Sequence, residues 1–345
     1  MKSIFDYSLS SLEKEMVSLG KKTFTAKQIY SWLYKKGIND FSLMSDISKA
    51  FIPVLQENYS VEKLTPEVKQ ESKDGTIKCL FKLNDNEKVE SVLMHYVYGY
   101  SVCVSSQVGC NMSCKFCASG LLKKKRNLTP SEMLLQVLYY DDYLKKEKGA
   151  RVSHVVIMGT GEPFDNYDNV MEFIKILNCP FGLDIGARHI TVSTCGVVPK
   201  IKQFANEGLQ VNLAISLHAS FNELRDYLMP INKTYPLEEL IPAIMEYEKK
   251  SNRNVTFEYI LIKNVNDSES DCKKLRDLIY PTHGYVNLIP YNPVIENGFE
   301  RTNDKIVNRF HNYLLDNGVK STIRKEFGSD IDAACGQLRA KHEKK

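Results

Sequence analysis

Cys110, Cys114 and Cys117 form a Cys-x-x-x-Cys-x-x-Cys run, with Phe116 beside the last thiol. Three thiolates in one loop can hold three corners of an iron–sulfur cube and leave the fourth iron open to an external ligand. A structural zinc site closes four ligands around its ion, and no fourth Cys or His lies in this loop. The spacing therefore favours a cluster over zinc, with inert buried thiols as the plain alternative. The chain has 9 cysteines, an odd number, and MKSIFDYSLSSLEKE at its start contains no apolar secretory stretch. Metal or redox use in a cytoplasmic protein is expected, not a disulfide framework. Downstream, Gly161-Glu162, Ser193-Thr194, Ser216-Leu217-His218 and Asn292 are further polar clusters. Taken singly, each reads as a strand-end turn, a loop-capping hydroxyl or a satisfied structural residue.

Elements that could position these residues are visible in the periodicity beyond residue 100. Strand-like runs at Val102–Ser106, Val155–Met158, Ile190–Ser193, Val211–Ser216, Val255–Ile262 and Val286–Ile289 alternate with helix-period segments near 130–146, 167–178, 197–207, 236–250, 269–280 and 303–317. Successive β–α units imply an α/β fold with a parallel sheet, open or curled into a barrel, whose chemistry sits at the C-terminal strand ends. The polar clusters all fall at such ends. Upstream, Ser10 with Glu13 and Thr25 with Gln28 fit capping boxes, and Gly20 and Gly37 fit stops, of a small helical unit. Thr76–Leu83 and Lys88–Met94 read as a hairpin. The expected division is a helical accessory domain at 1–70, a connecting hairpin at 71–98, the α/β core at 99–330 and a C-terminal loop with a basic tail at 331–345.

Composition narrows the class. With 43% hydrophobic and 26% charged residues, disorder is excluded as the main state. The longest stretch without Asp, Glu, Lys or Arg, Ser91–Cys114, is interrupted by polar residues and predicts no membrane span. The net charge, 46 − 42 = +4, permits a nucleic-acid partner without demanding one.

The cysteine loop resembles the signature of radical S-adenosylmethionine (SAM) enzymes. The resemblance implies a partial (β/α)6 TIM-like barrel and one 4Fe-4S cluster per chain, whose open iron takes the amino and carboxylate groups of SAM. It also implies SAM contacts at Gly161, Glu162, Ser193, Ser216, Leu217, His218 and Asn292, with the Glu162 carboxylate accepting the methionyl ammonium.

A closer resemblance covers nearly the whole chain through VCVSSQVGCNMSCKFCASG, MGTGEPFDN, AISLH, LMPINK, VNLIPYNP and DIDAACGQLRAK. These motifs are similar to those of the dual-specificity methyltransferases that act on carbon 2 of adenosine 2503 in 23S rRNA and of adenosine 37 in tRNAs. That carbon is electron-poor and carries no acidic proton, so simple displacement of a methyl group is closed to it. The resemblance implies a relay using two SAM molecules per turnover. The first methylates Cys335; the second is cleaved reductively to a deoxyadenosyl radical that takes hydrogen from the S-methyl group. The resulting methylene radical adds to carbon 2, Glu90 removes the proton as general base, and Cys103 releases the product by closing a transient disulfide with Cys335. Read alone, Glu90 is an ordinary solvated strand residue, and Cys103 and Cys335 are small buried hydrophobes. Asp330 and Asp332 would oppose a Cys335 thiolate if they pointed at it. Cys79, Cys179, Cys195 and Cys272 match no functional position, and Cys195 stands where serine is expected.

The implied partners are 23S rRNA, tRNA and an electron donor such as flavodoxin or ferredoxin, with a monomer and no membrane. Lys115, Lys123, Lys124, Lys125 and Arg126 occur with no acid between Ser105 and Ser131. Such a run is a solvated face by default; beside an RNA-modifying pocket, Lys123, Lys124, Lys125 and Arg126 become phosphate contacts. Lys21, Lys22, Lys35 and Lys36 give the N-terminal unit a similar use, as in the family's accessory domain. Two rivals remain: the sister class that methylates carbon 8 of the same rRNA adenosine and confers antibiotic resistance, and a non-catalytic zinc-dependent RNA-binding protein, which leaves Cys335 unexplained.

Overall fold

Runs of Val, Ile and Leu such as VSHVVI and YVNLIP bury alternate or successive side chains and become strands; the amphipathic segments between them become helices that cover the sheet. In the computed structural model, which describes residues 1–332 and Leu338, the first strands are β1 (Lys2–Ser3), β2 (Tyr59–Ser60), β3 (Pro66–Glu71), β4 (Ile77–Lys82), β5 (Lys88–Tyr96) and β6 (Gly99–Cys103). They are followed by β7 (Gln107–Val108), β8 (Arg126–Asn127), β9 (Val152–Ile157), β10 (Ile190–Thr194), β11 (Asn212–Ser216), β12 (Thr256–Leu261), β13 (Tyr285–Pro290) and β14 (Ser321–Ile323).

Ten strands build one sheet in the order β14-β13-β12-β11-β10-β9-β6-β5-β4-β3. From β6 to β14 the neighbours are parallel. The crossover helices are Pro130–Lys148, Tyr167–Asn178, Val198–Phe204, Leu237–Ser251 and Glu269–Ile279, with Asp304–Asp316 leading into β14. The expected β–α alternation is present as a partial barrel, to which β14 adds one short strand. The helix Pro130–Lys148 shows the local logic: Thr129 and Glu132 form a capping box, Pro130 opens the helix, and Gly149 closes it in the left-handed conformation.

The other edge differs from the expected connecting hairpin. β3, β4 and β5 are antiparallel and extend the barrel sheet itself, and β3 straddles the anticipated boundary at residue 70. The strand expected at 102–106 ends at Cys103, which therefore sits at the strand's C-terminal tip. Neither N-terminal capping box forms: Ser8, not Ser10, caps the helix Leu9–Ser18, and Thr25 lies inside the helix Phe24–Tyr30. Ser8 wins because its hydroxyl accepts the Ser11 N–H while its own N–H is held by Glu172 of the barrel. Asp6 likewise accepts from the Ser131 N–H. Ile4, Leu12, Ile29 and Leu33 join Met133, Phe173 and Ile174 in one continuous apolar core, so the helical unit is packed onto the barrel helices. No described helix is long and apolar enough to cross a membrane.

Candidate active site

The chain leaves β6 into a loop closed at its base by the antiparallel β7–β8 ladder. Inside it the Cys110 N–H donates to the Leu122 carbonyl at 2.9 Å, and the Lys115 N–H donates to the Leu228 carbonyl at 2.9 Å, which pins the loop to the helix Asn222–Leu228. Gly109 has φ +79°, and a Cβ there would lie 2.2 Å from the Lys123 carbonyl oxygen, so only glycine allows the loop to close. Cys110, Cys114 and Cys117 line one cavity of about 340 Å³ together with Glu162, Ser193, Ser216, His218 and Asn292.

Burial pushes the Cys110 thiol up to about 11 and the Cys114 thiol well above its ordinary value. Such thiols give up their protons to a metal and not to solvent. Among the described residues, no three His, Cys, Asp or Glu side chains close around a single ion. One tetrahedral zinc needs its sulfurs about 3.8 Å apart, whereas a cube gives each thiolate its own iron and a wider spacing. Three soft donors on a cavity wall, with the rest of the cavity in front of them, fit a 4Fe-4S cluster with one open iron.

The strand ends behind that space are tied to one another. Glu162 accepts the Phe164 N–H at 2.9 Å and the Cys195 N–H at 2.8 Å, linking the ends of β9 and β10; burial raises its pKa, and each oxygen retains acceptor capacity toward the cavity. Gly161, φ +113°, lies against Gln107 where a Cβ would meet the Gln107 Cβ at 2.6 Å. The Ser193 and Ser216 hydroxyls are 3.5 Å apart. Buried His218 accepts the Ile260 N–H on Nδ1 at 3.1 Å, which leaves the ring proton on Nε2, and its ring meets Phe116 edge-on at 4.7 Å. Burial depresses its pKa to about 3, so the ring is neutral at physiological pH. Asn292 is exposed at the cavity wall. Leu217 departs from expectation: its side chain belongs to the main core and does not line the cavity, because alternation along β11 turns it away from the face that Ser216 shows.

Sequence reasoning missed several residues here. Arg225 has no exposed surface and donates to the carbonyls of Cys195, Ser216 and Leu217 and to Asn232 Oδ1, bracing the cavity's floor. Glu258 lines the cavity, is held by Asn287 Nδ2 at 2.9 Å, and has its pKa raised by burial. Cys195 also lines the cavity, while Cys79, Cys179 and Cys272 are buried away from it.

Two of the anticipated relay residues, Cys103 on β6 and Glu90 on β5, lie at the junction of barrel and extension. Cys103 is a buried cysteine on the cavity wall. Glu90 is not the solvated strand residue that its alternation suggests; it is 4% exposed and paired with Lys78, Nζ to Oε2 2.9 Å. Cys335 lies outside the described residues. The segment leading to it is docked on the β3–β4 hairpin: the Gly328 N–H donates to Asp74 at 2.8 Å, Asp330 accepts from Ser72 and the Lys73 N–H, and Asp332 exchanges two bonds with Gln70. Asp330 and Asp332 thus both turn their carboxylates to the hairpin.

The basic run is largely neutralised. Lys124 faces Asp165 at 3.8 Å, Lys125 pairs with Glu87 at 2.8 Å, and Arg126 pairs with Asp85 at 2.6 Å and Glu132 at 2.7 Å. The run looked unopposed because these acids lie outside its sequence window. Lys123 and Lys115 are exposed without an ion pair among the described residues, and Lys115 covers the Tyr227 ring at 3.6 Å. In the N-terminal unit, Lys36 and Lys21 lie over the Trp32 and Phe51 rings.

Comparison with known proteins agrees with this geometry. Residues 104–275 match the radical SAM superfamily, and residues 2–61 match the ribosomal RNA large subunit methyltransferase N-terminal domain. The chain is 54% identical over 343 residues to a probable dual-specificity RNA methyltransferase RlmN of Spiroplasma citri, covering 99% of both chains. It is 52% identical over 348 residues to the corresponding Enterococcus faecalis protein, covering 99% of this chain and 97% of that one. A crystal structure of a radical SAM methyltransferase from Sphaerobacter thermophilus superposes with a TM-score of 0.91 at 41% identity, covering 98% of this chain and 99% of the other. With relatives this similar along their full length, the chain belongs to the RlmN family of radical SAM RNA methyltransferases.

Proposed function

We propose that this protein methylates carbon 2 of adenosine in both 23S rRNA and tRNA through a methyl group carried on Cys335. The printed names of its relatives, dual-specificity RNA methyltransferases, support the substrate class. The observation that carries the relay is a single row across the sheet: Gln70 is opposite Lys78, Lys78 opposite Val92, and Val92 opposite Cys103. Residues directly opposite share a face, and at about 4.8 Å per strand Lys78 and Cys103 are about 10 Å apart along the row. Asp332 is bound by Gln70 and Lys78 in that row. Cys335 is three residues further on, and three residues reach at most about 10 Å. A thiol at that position can meet both Cys103 and the cavity in front of the cluster loop.

When bound, the cluster and SAM supply the methyl group and the radical chemistry that an electron-poor aromatic carbon requires. The remaining tasks belong to the chain. Cys110, Cys114 and Cys117 hold the cluster; Glu162, Ser193, Ser216, His218 and Asn292 orient SAM; Cys335 carries the methyl group to the ring. Glu90 takes the carbon 2 proton of the adduct, and Cys103 then attacks the Cys335 sulfur so that RNA leaves and a disulfide forms. A small reductant of the flavodoxin or ferredoxin type supplies electrons, and exposed Lys115 and Lys123 are the lysines of the loop left to meet phosphate. Incubating the anaerobically reconstituted protein with rRNA and tRNA, then digesting to nucleosides for mass spectrometry, tests this: 2-methyladenosine in both supports it. 8-Methyladenosine would favour the carbon 8 reading, and a colourless zinc protein yielding neither would end the enzyme reading.

A further inference from the structure

Lys78 is fully buried, an unusual setting for an ammonium group, and two of its bonds run in different directions. One is to Glu90 Oε2 at 2.9 Å, and the other donates to the Asp332 carbonyl at 2.7 Å. A desolvated ammonium must find its partners in protein, and a charge held this way fixes the groups around it in position. Here those groups are the expected base and the backbone that leads, three residues later, to the expected methyl carrier. Gln70 adds two bonds to the same residue, donating to the Asp332 carboxylate and accepting its N–H.

We propose that Lys78 is a positioning residue that couples the two halves of the relay: one ammonium group sets both the Glu90 carboxylate and the chain carrying Cys335. The proposal rests on the reading that Glu90 is the base and Cys335 the methyl carrier. Its consequence is that Lys78 acts at two stages. Cys335 must be presented for methylation before any RNA is bound, and Glu90 must be in place when the adduct loses its proton. A lysine that merely neutralised a buried carboxylate would matter only while that carboxylate was charged.

The distinction can be measured. Replacing Lys78 alone with methionine leaves Glu90 buried without its cation, a change that can unfold the protein. The informative pair is therefore Glu90→Gln against Lys78→Met/Glu90→Gln, which removes both charges, with wild type and iron content as references. All are reconstituted holoenzymes. Two readouts are taken without RNA: Cys335 methylation, by mass of its peptide after incubation with SAM, and hydrogen exchange of the peptide spanning residues 326–338. The rate at which Glu90→Gln methylates Cys335, whatever its ratio to wild type, is the reference against which the double variant is read. The double variant should methylate Cys335 at least about tenfold more slowly, and its 326–338 amides should exchange at least about tenfold faster, as loss of an anchoring hydrogen bond to charge predicts. If the double variant matches Glu90→Gln in both readouts, the coupling role is overturned while the relay reading stands. If wild type never acquires a methyl group on Cys335, the relay reading falls and this proposal with it.

Discussion

Arg225 Nη2 donates to the carbonyl oxygen of Cys195 at 2.7 Å, and its Nε donates to the Leu217 carbonyl at 3.2 Å, so one buried guanidinium joins the ends of β10 and β11. Burial lowers its pKa to about 10, which leaves it charged at neutral pH. Arg225→Met removes the guanidinium donors from the Cys195 carbonyl and Asn232 Oδ1, while the Leu217 carbonyl keeps only the Ala219 N–H at 2.8 Å, and the expected loss of stability is about 3–5 kcal/mol. Arg225→Lys should recover only part of it, because three donors on one atom do not reproduce the fork. Urea titration measures both; a loss under about 1 kcal/mol for the methionine variant would contradict the bracing role.

Iron separates the cavity's thiols. Cys117→Ala should lose the cluster, whereas Cys195→Ser should keep about four irons per chain, since Cys195 is placed on the cavity wall by its N–H bond to Glu162 and lies outside the three-cysteine loop. Iron assay and visible absorption after anaerobic reconstitution decide the matter, and equal losses would mean that the ligand set is wrong.

The two cysteines proposed for the relay should fail differently. Cys335→Ala should form neither methylated protein nor protein–RNA adduct. Cys103→Ala should still methylate Cys335 and attack the base, then stall with RNA attached, giving a shifted, RNase-sensitive band on a denaturing gel. An unstacked adenosine in a short RNA is the fair substrate. Normal turnover by Cys103→Ala would remove it from the resolving role.

His218 makes stability depend on acid. Its pKa falls from the ordinary 6.5 to about 3 on burial, so the unfolded chain binds the extra proton across that interval. Its contribution is therefore complete above pH 6.5 and is lost as pH falls toward 3, a decline of about 2 kcal/mol between pH 7 and 5. His218→Asn keeps an acceptor for the Ile260 N–H and tolerates the residue's φ of +57°. Urea midpoints at the two pH values should differ less in this variant by that amount; parallel shifts would show that another group titrates.

Charge substitutions around the cluster loop should divide into two kinds. Lys115→Gln and Lys123→Gln should each reduce the salt slope of RNA binding by about one, with the fold unaffected. Arg126→Gln should instead destabilise the protein, because its guanidinium bonds both oxygens of Glu132, at 2.7 and 2.8 Å, next to a helix cap. Filter binding across a salt series, read beside thermal melts, distinguishes the two, and an unchanged slope in Lys115→Gln/Lys123→Gln would make those lysines a solvated face.

What could be read before folding was whatever the chain keeps contiguous. The cluster loop occupies eight residues, and the β–α alternation repeats the same pattern along the barrel, so both were visible as strings. Long-range pairings were not. Lys78 looks like the outward member of an alternating strand, and its partners lie twelve positions away in the next strand and 254 positions away in a backbone carbonyl. Arg225 looks like a surface charge on a short helix until the ends of β10 and β11 close over it. Glu90 seemed solvated because a strand's polar face is solvated only where nothing crosses it, and here the C-terminal segment docks alongside. The helix starts were displaced for the same reason: Ser8 and Ser10 are equivalent by composition, and contact with Glu172 chooses between them.

The docking of residues 328–332 on the β3–β4 hairpin also separates two properties that are usually taken to travel together. A single proteolytic cut after Asp332 would leave every strand of the sheet and every cluster cysteine in place, and it would still remove the sulfur proposed to carry the methyl group. A preparation clipped there would be brown, folded and inert. For this protein an intact C-terminus, read from whole-protein mass, is a more telling measure of quality than colour or melting temperature.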